Sequence, residues 1–440
     1  MSHYRPYPEY RDSGIEWIGK VPGRWDVKPI WSFATCNDNA LGEDTDPDYL
    51  FRYVDISSVN HTDGIAKAEE LRFADAPSRA RRKAQSGDII VSTVRTYLKA
   101  VAAVDDAHAD CVFSTGFAVL RAKNGYVRPR FLKWLMLNDL MIQAVESHSE
   151  GLSYPAINAT ELVKLKAAVP SVTEQESIST ALYRETARID ALIAKKTEFI
   201  ELLNTKRHAL ITHAVTKGRN PKAKMRDSGV EWIGEVPEHW AVSRLGHFAT
   251  VENGTTPDKN NPAYWKDGTV PWLGSGEVNQ RVVTQATSTI TDLALRSCSL
   301  RLLPAGTVII GMVGQGKTRA LSAILGIEAS INQNMAAICT GSRLRPLFLL
   351  YVLTAAYDWI REAGRGSNQA ALNCEIVAEF RLAVPPLAEQ EEIVARLETA
   401  SRQIDRLRSK IQDSIDLLRL RRSALIAAAV TGQIDLREYA

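Results

Sequence analysis

Apolar side chains fall into two long helical stripes and many short runs. After Pro170 the chain reads TEQESISTALYRETARIDALIAKKTEFIELLNTKRHALITHAV, with no Gly or Pro until Gly218. Steps of four and three from Ile178 land on Ile178, Leu182, Glu185, Ile189, Leu192, Lys196, Phe199, Leu203, Lys206 and Leu210. Most of these are apolar, the seam of a coiled-coil helix with polar interruptions. The same walk near the C-terminus gives Ile393, Leu397, Ala400, Ile404, Leu407, Ile411, Ser414, Leu418, Arg421 and Leu425. Each stripe predicts a helix of about 42 residues, roughly 60 Å long at 1.5 Å per residue. Thr173 followed by Glu176 has the spacing of a capping box, which satisfies orphan amides in a first helical turn.

Before each stripe lies a mixed region. Short β-like runs such as DIIVSTV (residues 88–94) and GTVIIGMV (residues 306–313) are bounded by Gly, Pro and Asn. One further helix is predicted in each region, over residues 129–145 and 346–363. The most apolar stretch, LFLLYVLTAAY, is too short to span a bilayer and reads as a buried helix.

These two layouts are copies. RDSGIEWIGKVPGRW begins at Arg11 and RDSGVEWIGEVPEHW at Arg226, eleven of fifteen positions being identical. At the same offset of 215, AVPSVTEQESI answers AVPPLAEQEEI and KRHALITHAVT answers RRSALIAAAVT. One spacing relating three segments means that a whole half is duplicated, and the period is far beyond the roughly 20 to 50 residues of solenoid repeats. A long helix with an apolar seam needs a partner, and the most economical one is its twin. Halves related by a two-fold axis would pack these helices antiparallel, with one mixed domain at each end; the alternative is that each helix folds back on its own domain. The predicted class is α+β, with two pseudo-symmetric domains separated by two long antiparallel coiled-coil helices. Residues 1–170 form the first domain, 171–217 the first helix, 218–385 a polar, basic linker and the second domain, 386–432 the second helix, and 433–440 a tail.

Composition narrows the class only mildly. The chain has 440 residues, 45% hydrophobic and 24% charged, with a net charge of +3, which is an ordinary globular balance. A near-neutral total neither demands nor excludes a nucleic-acid partner, because local basic patches can hide in it. The opening MSHYRPYPEYRD has no apolar stretch of the secretory kind, and the five cysteines form no CxxC pair. Reduced thiols, a cytoplasmic setting, no membrane and no structural zinc are expected.

Catalytic signatures are sparse. Residues 311–318, GMVGQGKT, satisfy the P-loop pattern, in which Lys317 would reach phosphate oxygens and Thr318 would hold Mg²⁺. A P-loop must open a helix, yet RALSAILGIEASINQN follows, and the twin half has STVRTYLKA instead. A P-loop ATPase is therefore the alternative reading, beside a coiled-coil adaptor without DNA. Asp46-Pro47-Asp48-Tyr49 is one residue from an amino-methyltransferase motif but lacks a Gly-rich cofactor loop before it. No Glu-x-Lys of the nuclease kind occurs, and the eight histidines have no metal-ligand spacing.

Binding chemistry remains. Arg79, Arg81, Arg82 and Lys83 form a dense cationic cluster before a predicted strand, with Arg95, Tyr97 and Lys99 after it. In the second half Gln315, Lys317, Thr318 and Arg319 hold a comparable place, with Asn332, Gln333 and Asn334 beyond and Arg365, Ser367, Asn368 and Gln369 in a further polar loop. Arg and Lys suit guanine edges and phosphates, while Asn and Gln suit adenine edges. On two duplicated domains these loops point to bipartite reading of DNA.

Taken together, the paired GIEWIGKVPGRW and GVEWIGEVPEHW, the PSVTEQESI and PPLAEQEEI helix starts, and the ALITHAVT and ALIAAAVT helix ends resemble the specificity subunit of type I restriction-modification systems. NGTTP…AYW…GTVPWLGSGEV and LLPAGTVIIGMVGQGKT in the second half, and QSGDIIVSTVRTYLKA and FSTGFAVL in the first, are similar to that family's target-recognition domain. The resemblance implies two such domains, each reading one half of a split sequence in double-stranded DNA, with the helices as a ruler between half-sites. It implies no cofactor on this chain and no catalysis by it. Two methyltransferase subunits using S-adenosylmethionine on adenine N6, and two restriction subunits using ATP and Mg²⁺ where restriction is present, would be the partners. Trp17, Trp25, Trp232 and Trp240 would help to dock them.

Overall fold

The computed structural model describes residues 4–151, 153–314, 317–363 and 371–437. Contacts gather into two compact units, residues 1–196 with 412–440 and residues 197–411. Both are α+β, and both contain the beginning of one long helix and the end of the other. The helices run Val172–Lys217 and Leu387–Val430, slightly longer than the stripes predict. Glu174 N–H reaches Ser171 Oγ at 3.4 Å, so the hydroxyl at the helix start is Ser171, two residues before the predicted Thr173.

Inside the first unit, Asp190 pairs with Arg422 at 3.0 Å and Glu174 approaches Arg437 at 4.0 Å. Within the second, Arg207 pairs with Asp405, and Arg219 with Glu392 at 3.1 Å. In each unit one partner's number rises as the other falls, which defines antiparallel pairing. Ile178, Ala181, Leu182 and Ile189 join Leu425, Ile426 and Ala429 in one core, and Ile211 and Val215 join Ile393 and Leu397 in the other. Leu192 and Phe199 lie on the predicted stripe but are 42% and 48% exposed. The stripe is buried again beyond them, Leu203 being 6% exposed.

The domains share a frame. In the first, Ile89–Ser92 is flanked by Val101–Ala103 and Phe117–Ala122, with Ala34–Cys36 beyond. In the second, Val308–Gly311 lies between Ser322–Leu325 and Met335–Thr340, with Ala249–Asn253 beyond. A parallel pair recurs too: Val112–Ser114 beside Leu50–Val54, and Ser330–Ile331 beside Val270–Leu273. The first domain alone adds Ala80–Lys83, paired with Val112–Ser114 and Asn39–Ala40. Each additional predicted helix is two helices: Pro129–Met136 and Asp139–Ser147, then Pro346–Ala355 and Tyr357–Glu362. Asn138 makes the first break, its side chain accepting from Leu140 N–H at 3.1 Å.

The echoed motifs meet. Trp25 Nε1 donates to Glu174 at 3.1 Å and Trp240 Nε1 to Glu389 at 3.1 Å. Fully buried Gln175 accepts from Arg128 N–H and donates to the Tyr126 and Pro170 carbonyls; Gln390 does the same with Arg345, Arg343 and Pro385. Glu176 pairs with Arg128 at 2.9 Å and Glu391 with Arg345 at 2.6 Å. The repeated Glu-Gln-Glu at each helix start is therefore the clasp that fastens the helix to its domain. The basic segment after the first helix is also fastened: Lys217 donates to the Glu235 carbonyl at 2.8 Å, and Met225–Asp227 forms a ladder with Glu235–Pro237.

Candidate nucleic-acid interface

At one end of each central antiparallel hairpin, loops from distant parts of the sequence converge. In the first unit Thr93 N–H donates to Gly116 O at 2.8 Å and Ile157 N–H to Thr93 O at 2.9 Å, tying residues 93–100 to the 115–116 turn and to residues 149–156. In the second, Met312 N–H donates to Asn334 O at 2.8 Å and Leu372 N–H to Met312 O at 2.9 Å. Segments far apart in sequence thus meet by the same hydrogen bonds in both halves.

The first domain's tip is tightly determined. Arg95 and Lys99 both adopt left-handed backbone, with φ of 52° and 51°, a conformation that costs a non-glycine residue roughly 1–2 kcal/mol. Around them, buried Thr96 donates to Ser149 Oγ at 2.9 Å, Val94 bridges Ala156, and Glu150 bridges Ala156. Lys99 is drawn to Glu146 at 3.7 Å. Tyr97 and Tyr154 are 52% and 67% exposed, and the Arg95 guanidinium sits 5.4 Å from the Tyr154 ring centroid. Tyr154 carries no signal in the sequence, because only the fold brings residues 149–156 beside the hairpin.

The cationic cluster at residues 79–83 does not act as one patch. Arg79 lies beside the 115–116 turn, its carbonyl accepting from Thr115 N–H at 2.7 Å. Its guanidinium pairs with Asp55 at 3.0 Å and donates to Tyr53 Oη at 3.1 Å. Burial would raise the Asp55 carboxyl, but hydrogen bonds from Tyr53, Ser57 N–H and Arg79 outweigh it and hold it below the usual range. Arg81 lies 4.4 Å from the Phe73 ring centroid, Arg82 is half-buried, and Lys83 is exposed at the far end of the strand.

In the second domain, Lys317 is exposed and its carbonyl accepts from Tyr357 Oη at 2.7 Å. Thr318 and Arg319 are half-buried beside it. Asn332 is buried, and its side chain accepts from Asn334 N–H at 3.1 Å, making the turn between two strands. Gln333 is exposed and accepts from Thr256 Oγ1. Of the candidates named from sequence, Gln315, Arg365, Ser367, Asn368 and Gln369 lie outside the described residues.

The P-loop alternative is overturned by local geometry. Val308–Gly311 and Ser322–Leu325 are antiparallel neighbours, Ala320 N–H donates to Gly311 O at 2.8 Å, and it is a strand that follows Thr318. Without a helix N-terminus after Thr318 there is no phosphate-facing dipole. Asp46-Pro47-Asp48-Tyr49 is a turn, closed by Tyr49 N–H on Asp46 O at 2.9 Å.

The docking role of two tryptophans needs correction. Trp25 and Trp240 are each only 1% exposed, because their rings fill the domain cores while their indole N–H groups join the clasp. Trp17 and Trp232 are half-exposed; Trp232 stacks on Phe380 at 5.5 Å and donates to the Arg381 carbonyl at 3.1 Å. Among the described residues no group of His, Cys, Asp and Glu is arranged to hold a metal, and no helix is long and apolar enough to cross a membrane.

Comparison with known proteins follows the same lines. Residues 237–417 match the family model of the type I restriction modification DNA specificity domain. The chain is 25% identical over 183 residues to the Escherichia coli EcoR124I/EcoR124II specificity subunit, covering 41% of this chain and 43% of that one. It is 21% identical to the Methanocaldococcus jannaschii type I restriction enzyme MjaIX specificity subunit, over 100% of this chain and 99% of the relative. A solved chain of a type I R-M system superposes with a TM-score of 0.74 at 22% identity, covering 94% of this chain and 99% of that chain. The HsdS subunit of Thermoanaerobacter tengcongensis gives 0.51 over 94% and 98%.

Proposed function

We infer that this chain, which belongs with the type I restriction-modification specificity subunits, selects the DNA on which a modification complex acts. The observation that carries this reading is the recurrence, in two copies of one domain, of several loops gathered at the same end of a hairpin. Duplicated readers suit a target with two half-sites. Phosphate contacts from exposed lysines and arginines would set position, and the loop tips would read base edges in the groove.

The chain contributes recognition and no catalysis of its own. Methyltransferase subunits supply S-adenosylmethionine and adenine-N6 transfer, flipping the base out of the duplex; restriction subunits, where present, supply ATP, Mg²⁺ and cleavage. Two methyltransferase subunits, one for each recognition domain, fit the duplication. The paired helices set the half-site separation, about 34 Å centre to centre for one turn of duplex. The complex works in the cytoplasm.

The test is to purify the tagged full chain under native conditions, weigh the complex and map methylated adenines at base resolution. Co-purification of two methyltransferase copies and a split methylated sequence is expected. A chain recovered alone, with no methylation depending on it, would overturn the reading.

A further inference from the structure

Among the candidate base-reading cations Arg79, Arg81, Arg82, Arg95 and Lys99, Arg95 is held differently from the other four. Arg79 spends its guanidinium on Asp55 and Tyr53, and Lys99 is drawn to Glu146. Arg81 donates to the Ala80 carbonyl and lies over Phe73. Arg82 is half-buried within its strand. Arg95 is exposed, and among the described residues no carboxylate pairs with it. Its neighbour is the Tyr154 ring, 5.4 Å from the guanidinium carbon.

That difference has a chemical consequence. A carboxylate partner consumes guanidinium N–H groups, whereas an aromatic face orients the cation and leaves its donors available. The left-handed backbone at Arg95 and Lys99 and the Thr96–Ser149 hydrogen bond fix where the side chain begins. Tyr154 fixes it from the other side. Its own loop is closed by reciprocal Glu150–Ala156 backbone hydrogen bonds at 2.9 Å. A pre-oriented guanidinium with free paired donors matches the O6 and N7 acceptors that guanine alone presents together in the major groove.

We propose that Arg95 reads a guanine in the half-site of the first domain, and that Tyr154 is the positioning residue that holds it for this contact. The proposal rests on the DNA-selecting reading above and deepens it to one base and two residues. Arg95 supplies two parallel hydrogen bonds, and Tyr154 supplies no base contact of its own.

The experiment uses the full chain in complex with its methyltransferase subunits, acting on a library in which each position of the methylated split sequence is randomised in turn. The wild-type complex should require guanine at one position of one half-site. Arg95→Ala should cut methylation of that guanine-bearing sequence about ten-fold and flatten preference at that position alone. Arg95→Gln should shift preference there towards adenine, whose edge a carboxamide matches. Tyr154→Ala should relax the same position, Tyr154→Phe should keep wild-type preference, and Arg95→Ala with Tyr154→Ala should be no worse than Arg95→Ala alone.

Arg95→Ala and Arg95→Gln complexes that keep the wild-type preference at every position would overturn the proposal. So would a uniform loss across all sequences, which marks a phosphate contact. A wild-type complex that methylates no split sequence would bring down the DNA-selecting reading, and this one with it. A selective wild type with unaltered Arg95 variants sinks only the guanine assignment.

Discussion

The two domains keep the same clasp on their long helices and then differ two turns further along. In the first, Lys133 donates to Tyr183 Oη at 3.0 Å and lies over the rings of Tyr183 and Trp134, 4.7 and 5.1 Å from their centroids. Nearby, a cavity of about 1060 Å³ is lined by His61, Asp63, Asp105, Arg130 and Tyr183 among others. In the second, the matching positions are Tyr351 and Glu398. Tyr351 Oη donates to Glu398 at 2.9 Å, and Arg281 reaches in to bond Glu398 at 2.5 Å and cover the Tyr351 ring at 4.9 Å. Duplication has preserved the contacts that hold a domain to its helix, while the contacts two turns further along that helix have diverged.

The clasp is where the domains should respond alike. Trp25→Ala and Trp240→Ala each empty a fully buried aromatic site and leave Glu174 or Glu389 without its indole donor. Each should cost about 3–5 kcal/mol in its own unit, measured by denaturant unfolding of the full chain. Costs differing by more than about 2 kcal/mol would break the equivalence of the two clasps.

A smaller, unequal effect is expected at the glycines that end the helices. Gly432 has φ of 74°, and an added Cβ would sit 2.3 Å from Pro22 Cδ, whereas at Gly218, with φ of 70°, the nearest atom is Trp240 Cζ2 at 3.0 Å. Gly218→Ala should cost about 1–2 kcal/mol from backbone strain alone. Gly432→Ala adds a collision with a ring that cannot swing aside and should cost about 2–3 kcal/mol. The reverse order in thermal unfolding would refute the packing described at Pro22.

Arg281→Ala probes the place where the domains differ, and should cost about 1–2 kcal/mol by depriving Glu398 of a hydrogen bond. Burial would raise the Glu398 carboxyl, but hydrogen bonds from Arg281 and Tyr351 prevail and hold it below its ordinary value. A carboxyl lowered by folding stabilises above its unfolded value, about 4.3, and that contribution is lost as pH falls through the folded value. The variant should therefore lose less stability between neutral pH and pH about 3 than wild type does. An identical acid dependence would show that the Arg281 contact does not form in solution.

Much of this comparison was legible in the sequence. The 215-residue offset exposed the duplication, and the echoed Trp and Glu-Gln-Glu segments are the residues that bond to one another. Pairing of the long helices followed from stripes too long for one domain to cover. Leu192 and Phe199 were misjudged, since the sequence pattern does not show which stretch of a stripe finds a covering partner and Leu203 just beyond them is buried. The site was less legible. Arg79, Arg82 and Lys83 look alike as letters, yet burial and the acid at Asp55 separate them, and Asp55 is 24 residues away from Arg79. Tyr154 stayed invisible for the same reason: nothing local records that two loops will meet.

The smallest expected effect separates a sequence pattern from a site. Lys317 is exposed and does not open a helix, since the next element is the strand Ser322–Leu325, antiparallel to Val308–Gly311. Lys317→Ala should shift stability by less than about 0.5 kcal/mol, and Mg²⁺-ATP should leave the melting temperature of wild type and variant unchanged. The first domain, with Arg95 and Lys99 at its hairpin tip and no P-loop spelling, is the natural control. A melting temperature raised by Mg²⁺-ATP in wild type and not in Lys317→Ala would give the second domain a nucleotide site that its twin lacks, and so end the view that both hairpin tips serve one purpose.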